Sequence, residues 1–418
     1  MKILCVGGGP AGLYFATLMA RHDKAHTITV LERNPAGSTY GWGVTYWQSL
    51  LDQLCESDPW TANRIRANSF RWADTLVDVQ GRQTIIRGNH GFSISRRLLI
   101  DILATRAMEF GVDVQFECEV EDLSGLPDAD LIVACDGVNS RLRRLHADSF
   151  GTDVVMGRNK YVWLGTSKVF DAFTFAFAES DAGWVWFYAY GFDGRSSTVI
   201  VECSPETWTG LGFDTLGAEG SAAVLERIFK RQLDGHPLLT GVPDHGEAQW
   251  LNFQTVTNAS WHHAKIVLMG DAAHTTHFSI GSGTILALED AIALAAKLCN
   301  HENLESALGI YEKERKLAII PSQGWARYSA QWYESLPRYI DLQAPEFTAL
   351  LRDRRSPILP HVPPLVYYRL YRIMQGSAGL QKLRERLGPA IVRASHGRRS
   401  ALRQQTVRSR LLGSRWST

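Results

Sequence analysis

Six cysteines are scattered over 418 residues, and none forms a Cys-x-x-Cys pair. This speaks against the usual paired-cysteine zinc and dithiol motifs and fits reduced thiols in a cytoplasmic protein. No apolar run is both long enough and charge-free enough to span a bilayer, so no membrane helix is expected. The N-terminus enters an apolar strand pattern directly, with no basic region or cleavage site, so no secretory leader is expected. Net charge is +1, from 44 Lys and Arg against 43 Asp and Glu. Such a balance gives no overall pull toward nucleic acid or a membrane surface. It is uneven, however: from Arg369 onward there are 12 basic residues and one acid, Glu385. No internal repeat is visible, and only one Gly-x-Gly-x-x-Gly occurs.

What is present is a large apolar content, 45% hydrophobic with 36 glycines, enough for two interleaved domains. Lys2–Val6 and Thr27–Leu31 read as strands around a helix from Pro10 to Arg21, a βαβ unit. Gly7, Gly9 and Gly12 fall at the strand-to-helix turn. There Gly7 permits the tight turn, Gly9 lets backbone amides approach a pyrophosphate, and Gly12 lets the helix pack on the sheet. Pro10 and Ala11 open the helix. Glu32, followed by Arg33, lies 20 residues past Gly12, where a carboxylate accepts hydrogen bonds from a ribose diol.

Two further motifs specify the dinucleotide. Asp130–Ala134 is a strand that delivers Asp136-Gly137-x-x-Ser140-x-x-Arg143. Lys265–Met269 is a strand that delivers Gly270-Asp271-Ala272-Ala273-His274. Gly281 and Gly283 then precede a helix from Thr284 to Leu298, with Leu286, Ala287, Asp290, Ala291 and Leu294 at helical spacing. Asp271 can bind a ribityl chain, and the Thr284 helix N-terminus can stabilise negative charge on a flavin ring. In this order the motifs describe a chain returning three times to FAD. Arg96 can reach the pyrophosphate, with Arg97 the competing choice. A metal triad of Asp271, His274 and His277 is set aside, because a glycine-rich turn does not hold them on one helical face. With no second glycine fingerprint, NADH or NADPH is expected to visit only transiently.

Other elements read as follows. Gly41–Val44 is a Gly/Trp loop, Leu99–Phe110 a helix and Val112–Cys118 a strand. Residues 154–203 are β-rich, and Trp184, Trp186, Tyr188 and Tyr190 alternate on one strand face. Residues after about 300 are mostly helical, and 395–418 are polar and basic. The expected fold is α/β: a Rossmann-like FAD-binding domain from 1–153 and 254–340, interleaved with a β-sheet substrate domain at 154–253. A helical, basic C-terminal region follows at 341–418.

On these motifs the chain resembles the single-component FAD aromatic hydroxylases of the para-hydroxybenzoate hydroxylase type. Phe92–Leu103, Gly157–Thr166, Ile200-Val-Glu-Cys203, His277–Thr284 and Gly41-Trp-Gly-Val44 resemble the salicyloyl-CoA 5-hydroxylase and anthraniloyl-CoA monooxygenase subfamily. Related segments occur in the violacein-pathway hydroxylase of an indole intermediate. Phe278 stands where the wider superfamily usually has proline. The resemblance implies an NAD(P)H- and O2-dependent hydroxylase of an aromatic ring, with salicyloyl-CoA or a close aryl-CoA hydroxylated at position 5. A free or natural-product aromatic such as an indole is the alternative. A flavin halogenase is disfavoured because Trp184-Val-Trp186 continues as Phe-Tyr rather than Ile-Pro. A non-enzymatic FAD-binding protein is the remaining class.

His277 and Tyr46 are the candidate acceptors for a substrate phenol. Trp42, Tyr161, Trp184, Trp186, Tyr188 and Phe278 are the candidate pocket walls. Arg158, Lys160 or the C-terminal arginines could meet CoA phosphates. The assembly is left open between monomer and homodimer. The motifs predict a yellow protein with non-covalently bound FAD; a colourless preparation that cannot be reconstituted with FAD would contradict them.

Overall fold

A computed structural model describes residues 1–38, 41–122, 126, 128–241 and 247–376. The expected basic tail at 395–418 lies outside the described residues. Two compact units are present, Met1–Arg315 and Lys316–Thr418.

The first unit is built on a six-stranded sheet. Its order is His262–His263, Ile266–Leu268, Leu131–Ala134, Lys2–Val6, Thr27–Leu31 and Asp113–Gln115. All pairings are parallel except the His262–Leu268 hairpin. Leu131–Ala134 is buried at every position and Lys2–Val6 at all but the first. Such continuous apolar strands suit a parallel sheet covered on both faces. Because the strands are parallel, Val6, Leu31, Ala134 and Leu268 all end at one edge. The three motifs, far apart in sequence, start there. The helices Pro10–His22 and Gly283–Asn300 pack together beside this edge.

A second sheet runs Leu238–Leu239, Thr152–Thr166, Ser197–Cys203, Gly183–Gly191, Phe173–Ser180, Thr75–Val79 and Arg82–Ile86, with Leu251–Asn258 also pairing to Thr152–Thr166. One face is the core: Val162, Leu164, Val185, Phe187, Ala189, Val199 and Val201 pack under the helix Ala218–Ile228. The alternate residues Trp186, Tyr188 and Tyr190 are buried on the opposite face, and Trp184 is half-buried. A three-stranded sheet pairs Gly43–Tyr46, Gly91–Ser95 and Phe70–Trp72 in that order.

Three local readings change. The Gly41–Val44 loop becomes a strand from Gly43, because its backbone pairs with Gly91–Ser95. The helix read from Leu99 begins at Arg96, where Ser95 caps it by accepting from the Leu98 amide. The strand Val112–Cys118 is only Asp113–Gln115. Thr75–Val79 and Arg82–Ile86 join the large sheet from a segment in which no strand was read.

In the second unit, the helix that began at Leu304 runs to Glu334, followed by Ala344–Arg352 and Pro364–Gln375. Trp332 stacks on Tyr339 with ring centroids 5.0 Å apart, and both are buried with Phe347. No helix among the described residues is long and apolar enough to cross a membrane.

Phe187 is fully buried, 4.7 Å from Phe229 and 5.9 Å from Phe170 between ring centroids. Phe187→Ala should cost about 3–5 kcal/mol, read as a lower urea midpoint of the FAD-loaded protein. An unchanged midpoint would mean that this face is not the core.

Candidate active site

The glycine turn follows from close contacts. Gly7 has φ +115, and a Cβ there would meet the Cys135 carbonyl oxygen at 2.4 Å. A Cβ on Gly12 would meet the Gly7 carbonyl oxygen at 2.2 Å. Gly9 is different: nothing lies within 4 Å of the position a Cβ would take. The turn is closed below and open above, at the N-terminus of the helix that Pro10 and Ala11 begin. Glu32 braces it. One carboxylate oxygen accepts the Gly8 amide at 2.7 Å, and the other accepts the Asn34 amide at 2.9 Å. Arg33 is exposed to solvent.

Asp136 accepts the Arg141 amide at 2.6 Å through Oδ2, while its buried Oδ1 has no hydrogen-bond partner among the described residues. Ser140 caps the helix Arg141–Leu145. The buried Arg143 donates to the Val138 carbonyl at 2.6 Å and the Ala272 carbonyl at 3.2 Å, tying the second motif to the third.

Asp271 and Arg96 are reached by solvent yet hemmed in by protein. Burial raises the Asp271 carboxyl above its ordinary range, with His274 and Arg96 pulling it back. Burial lowers the Arg96 guanidinium, with Asp271 and Glu32 opposing. Arg96 thus lies within electrostatic reach of both acids, whereas Arg97 is exposed and faces Asp101 at 4.0 Å.

Beneath this edge lies a buried charge cluster that sequence reasoning missed. Asp290 is wholly buried and accepts Arg315 Nε at 2.7 Å, His274 Nε2 at 2.8 Å and the Gly270 amide at 3.0 Å. Burial alone would raise its carboxyl; His274 and Arg315 outweigh that and hold it below the ordinary range. His274 also stacks on Trp261, with ring centroids 5.0 Å apart. The signal in the sequence was Asp290 itself, an acid on the apolar face of its helix.

The residues present fit FAD. The open Gly9 cradle, the partnerless Asp136 oxygen, Glu32 and the inward Arg96 suit a phosphate-bearing dinucleotide. Gly283, at the start of the Gly283–Asn300 helix with Thr284, has nothing within 4 Å of its Cβ position. Gly281, at φ +65, turns the chain just before it, and a Cβ there would meet Thr45 Oγ1 at 2.7 Å.

The candidate ring residues fall into two groups. Tyr161 lies 4.5 Å and Tyr188 5.8 Å from Phe278 between centroids. His277 lies 4.9 Å from Phe253, a wall residue the sequence reading did not include. The His277 Nδ1 accepts the Ser279 amide at 3.3 Å and is 2.9 Å from Ser279 Oγ. Trp42 covers Gly165, whose Cβ would come within 2.5 Å of the indole. Tyr46 ends the Gly43–Tyr46 strand. It stacks on Phe92 at 5.4 Å, its hydroxyl is bound to Ser69, and burial pushes that hydroxyl up to about 12. Of the proposed phosphate cations, Arg158 pairs with Glu206 at 2.7 Å, and Lys160 donates to Asn252 at 2.7 Å.

Comparison with known proteins agrees with this geometry. A family model described as an FAD binding domain matches residues 127–320. The chain is 38% identical over 349 residues to a salicyloyl-CoA 5-hydroxylase from Streptomyces sp, covering 81% of this chain and 66% of that one. It therefore spans just under two thirds of that relative's length. It is 36% identical over 339 residues to a 3-hydroxy-4-methyl-anthranilyl-[aryl-carrier protein] 5-monooxygenase from Streptosporangium sibiricum, covering 81% of this chain and 90% of that one. The fold is that of 2-methyl-3-hydroxypyridine-5-carboxylic acid oxygenase, with TM-score 0.66 at 17% identity, covering 87% of this chain and 97% of the other. The chain belongs to the FAD-dependent aromatic monooxygenases.

Replacing Asp290 with Asn leaves Arg315 and His274 facing a neutral group. The expected loss is about 3–5 kcal/mol at neutral pH, with faster release of FAD. Because the native carboxyl is held low, its contribution is full above the unfolded value of about 3.9 and disappears as pH falls through the lower native value. The gap between wild type and Asp290→Asn, measured by urea unfolding across pH, should therefore close in acid. A gap that widens in acid would contradict this arrangement.

Proposed function

We propose that this chain hydroxylates an aromatic ring delivered on a large acyl carrier, with salicyloyl-CoA or a close aryl-CoA hydroxylated at position 5 as the leading substrate. One observation carries the reading. Two relatives above 35% identity are named for position-5 oxygenation of an aryl group on CoA or on an aryl-carrier protein. We keep with it the division of labour read from the sequence: 1–153 and 254–340 hold flavin, and 154–253 faces substrate.

In this reading the chain's own residues bind, orient and exclude water. Gly9 and the helix behind it, with Arg96, take the pyrophosphate; Glu32 takes the adenosine ribose; Asp271 takes the ribityl hydroxyls. Bound FAD accepts electrons from NAD(P)H and activates O2 for transfer of one oxygen atom to the ring. Tyr161, Tyr188 and Phe278 wall the ring in, with Trp42, Trp184 and Trp186 extending the wall. A dry wall matters because oxygen that misses the ring is lost as peroxide. An ortho hydroxyl or amino group feeds electron density to the para carbon, which makes position 5 of a salicyloyl ring the reactive one. His277 is the leading acceptor for the ring hydroxyl, with Tyr46 the alternative.

The test compares salicyloyl-CoA, free salicylate and an indole, with product identified by mass spectrometry. The CoA ester should turn over fastest and should stimulate NAD(P)H oxidation strongly over the rate without ligand. Its apparent KM should rise with salt, since exposed ion pairs to phosphates are screened over about 8 Å at physiological ionic strength. Faster turnover of the free acid or the indole would overturn the substrate assignment.

A further inference from the structure

Two of the segments behind the subfamily resemblance, Gly157–Thr166 and Ile200-Val-Glu-Cys203, meet at one side chain. Glu202 stands directly opposite Tyr161 on one neighbouring strand and Trp186 on the other, and Trp186 stands opposite Phe177. Opposed residues of antiparallel strands share a face. Tyr161, Glu202, Trp186 and Phe177 therefore form one row on the ring-bearing face. The flanking Val201 and Cys203 point the other way, into the core.

Glu202 is 1% exposed, so it is an acid buried within an aromatic wall. Asn159 Nδ2 donates to its Oε1 at 2.8 Å. Asn159 lies in the irregular stretch between Met156 and Lys160. That stretch is fixed in turn by Asn252 Nδ2, which donates to the Gly157, Arg158 and Asn159 carbonyls at 3.0, 3.1 and 3.2 Å. Lys160, next along the strand, lies on the other face, with Nζ on Asn252 and over the Trp208 ring. The acid is thus held in place one strand from Tyr161, whose ring packs on Phe278.

Burying a carboxyl in such a wall is costly and calls for a return. Resting on the hydroxylase reading above, we propose that Glu202 is held ionised and acts as an electrostatic residue of the aryl site. It would stabilise the positive charge that builds on the ring during oxygen transfer, without touching the substrate. In that step a ring π pair forms the new C–O bond, and the ring with its hydroxyl or amino donor carries a positive charge. The proton on the same carbon then leaves and aromaticity returns. The second atom of O2 leaves as water, and NAD(P)H supplies the two electrons. A fixed negative charge facing developing positive charge lowers this barrier without strengthening ground-state binding.

Glu202→Gln keeps the size and an oxygen for Asn159 but removes the charge. On the best of salicyloyl-CoA, salicylate and an indole, it should lower the rate of product formation about tenfold. Product per NAD(P)H consumed should fall and peroxide should rise. Substrate affinity, read from the flavin absorbance shift, should stay at the wild-type value, and the melting temperature should not fall. Glu202→Asp should recover part of the rate. Wild-type rate and product ratio in Glu202→Gln would overturn the inference, and so would a loss confined to affinity or melting temperature. If the wild type hydroxylates none of the three, the proposed function falls together with it; if it hydroxylates one and Glu202→Gln matches it, only this inference falls.

Discussion

A single buried carboxylate organises the flavin edge. Asp290 receives a guanidinium, an imidazole and a backbone amide from Arg315, His274 and Gly270. Two of these donors come from the Gly270–His274 motif and the third from the later helix Leu304–Glu334. Satisfying one acid therefore fixes the Gly270–Ala272 turn against the helix behind it. The turn in turn presents Asp271, and through the Ala272 carbonyl it receives Arg143 from the second motif. An acid so deeply buried is stable only while all its partners stay in place. The geometry of the edge is therefore held all together or not at all.

The large sheet works by a simpler rule, alternation. Val185, Phe187 and Ala189 serve the core, and Trp186, Tyr188 and Tyr190 serve the other face. One strand thus builds both a stable interior and an aromatic wall. The same alternation puts Glu202 in the wall and its neighbours in the core.

Much of the candidate flavin edge was legible because the proposed chemistry asks for particular residues at particular strand ends. Gly7, Gly12, Glu32 and Asp271 each follow an apolar strand that can be recognised locally. What stayed hidden depended on partners distant in sequence. Asp290 looked like one polar residue on an apolar helix face, and nothing local pointed to Arg315. Tyr46 looked available as an acceptor, and its Ser69 partner emerges only when Gly43–Tyr46 pairs with Gly91–Ser95. Thr75–Val79 escaped notice because its place is set by Phe173–Ser180, almost a hundred residues later.

That strand order has a consequence for how the protein is made. Lys2–Val6 is made before the other strands of its sheet, yet one of its two neighbours is Leu131–Ala134, whose own outer partner is Ile266–Leu268. The nucleotide sheet cannot be completed until Ile266–Leu268 has been synthesised, long after Lys2–Val6. Until then apolar strands stand with open edges, and pairing over such separations is intrinsically slow. The chain should therefore pass through a long-lived nascent stage in which shielding by chaperones governs yield.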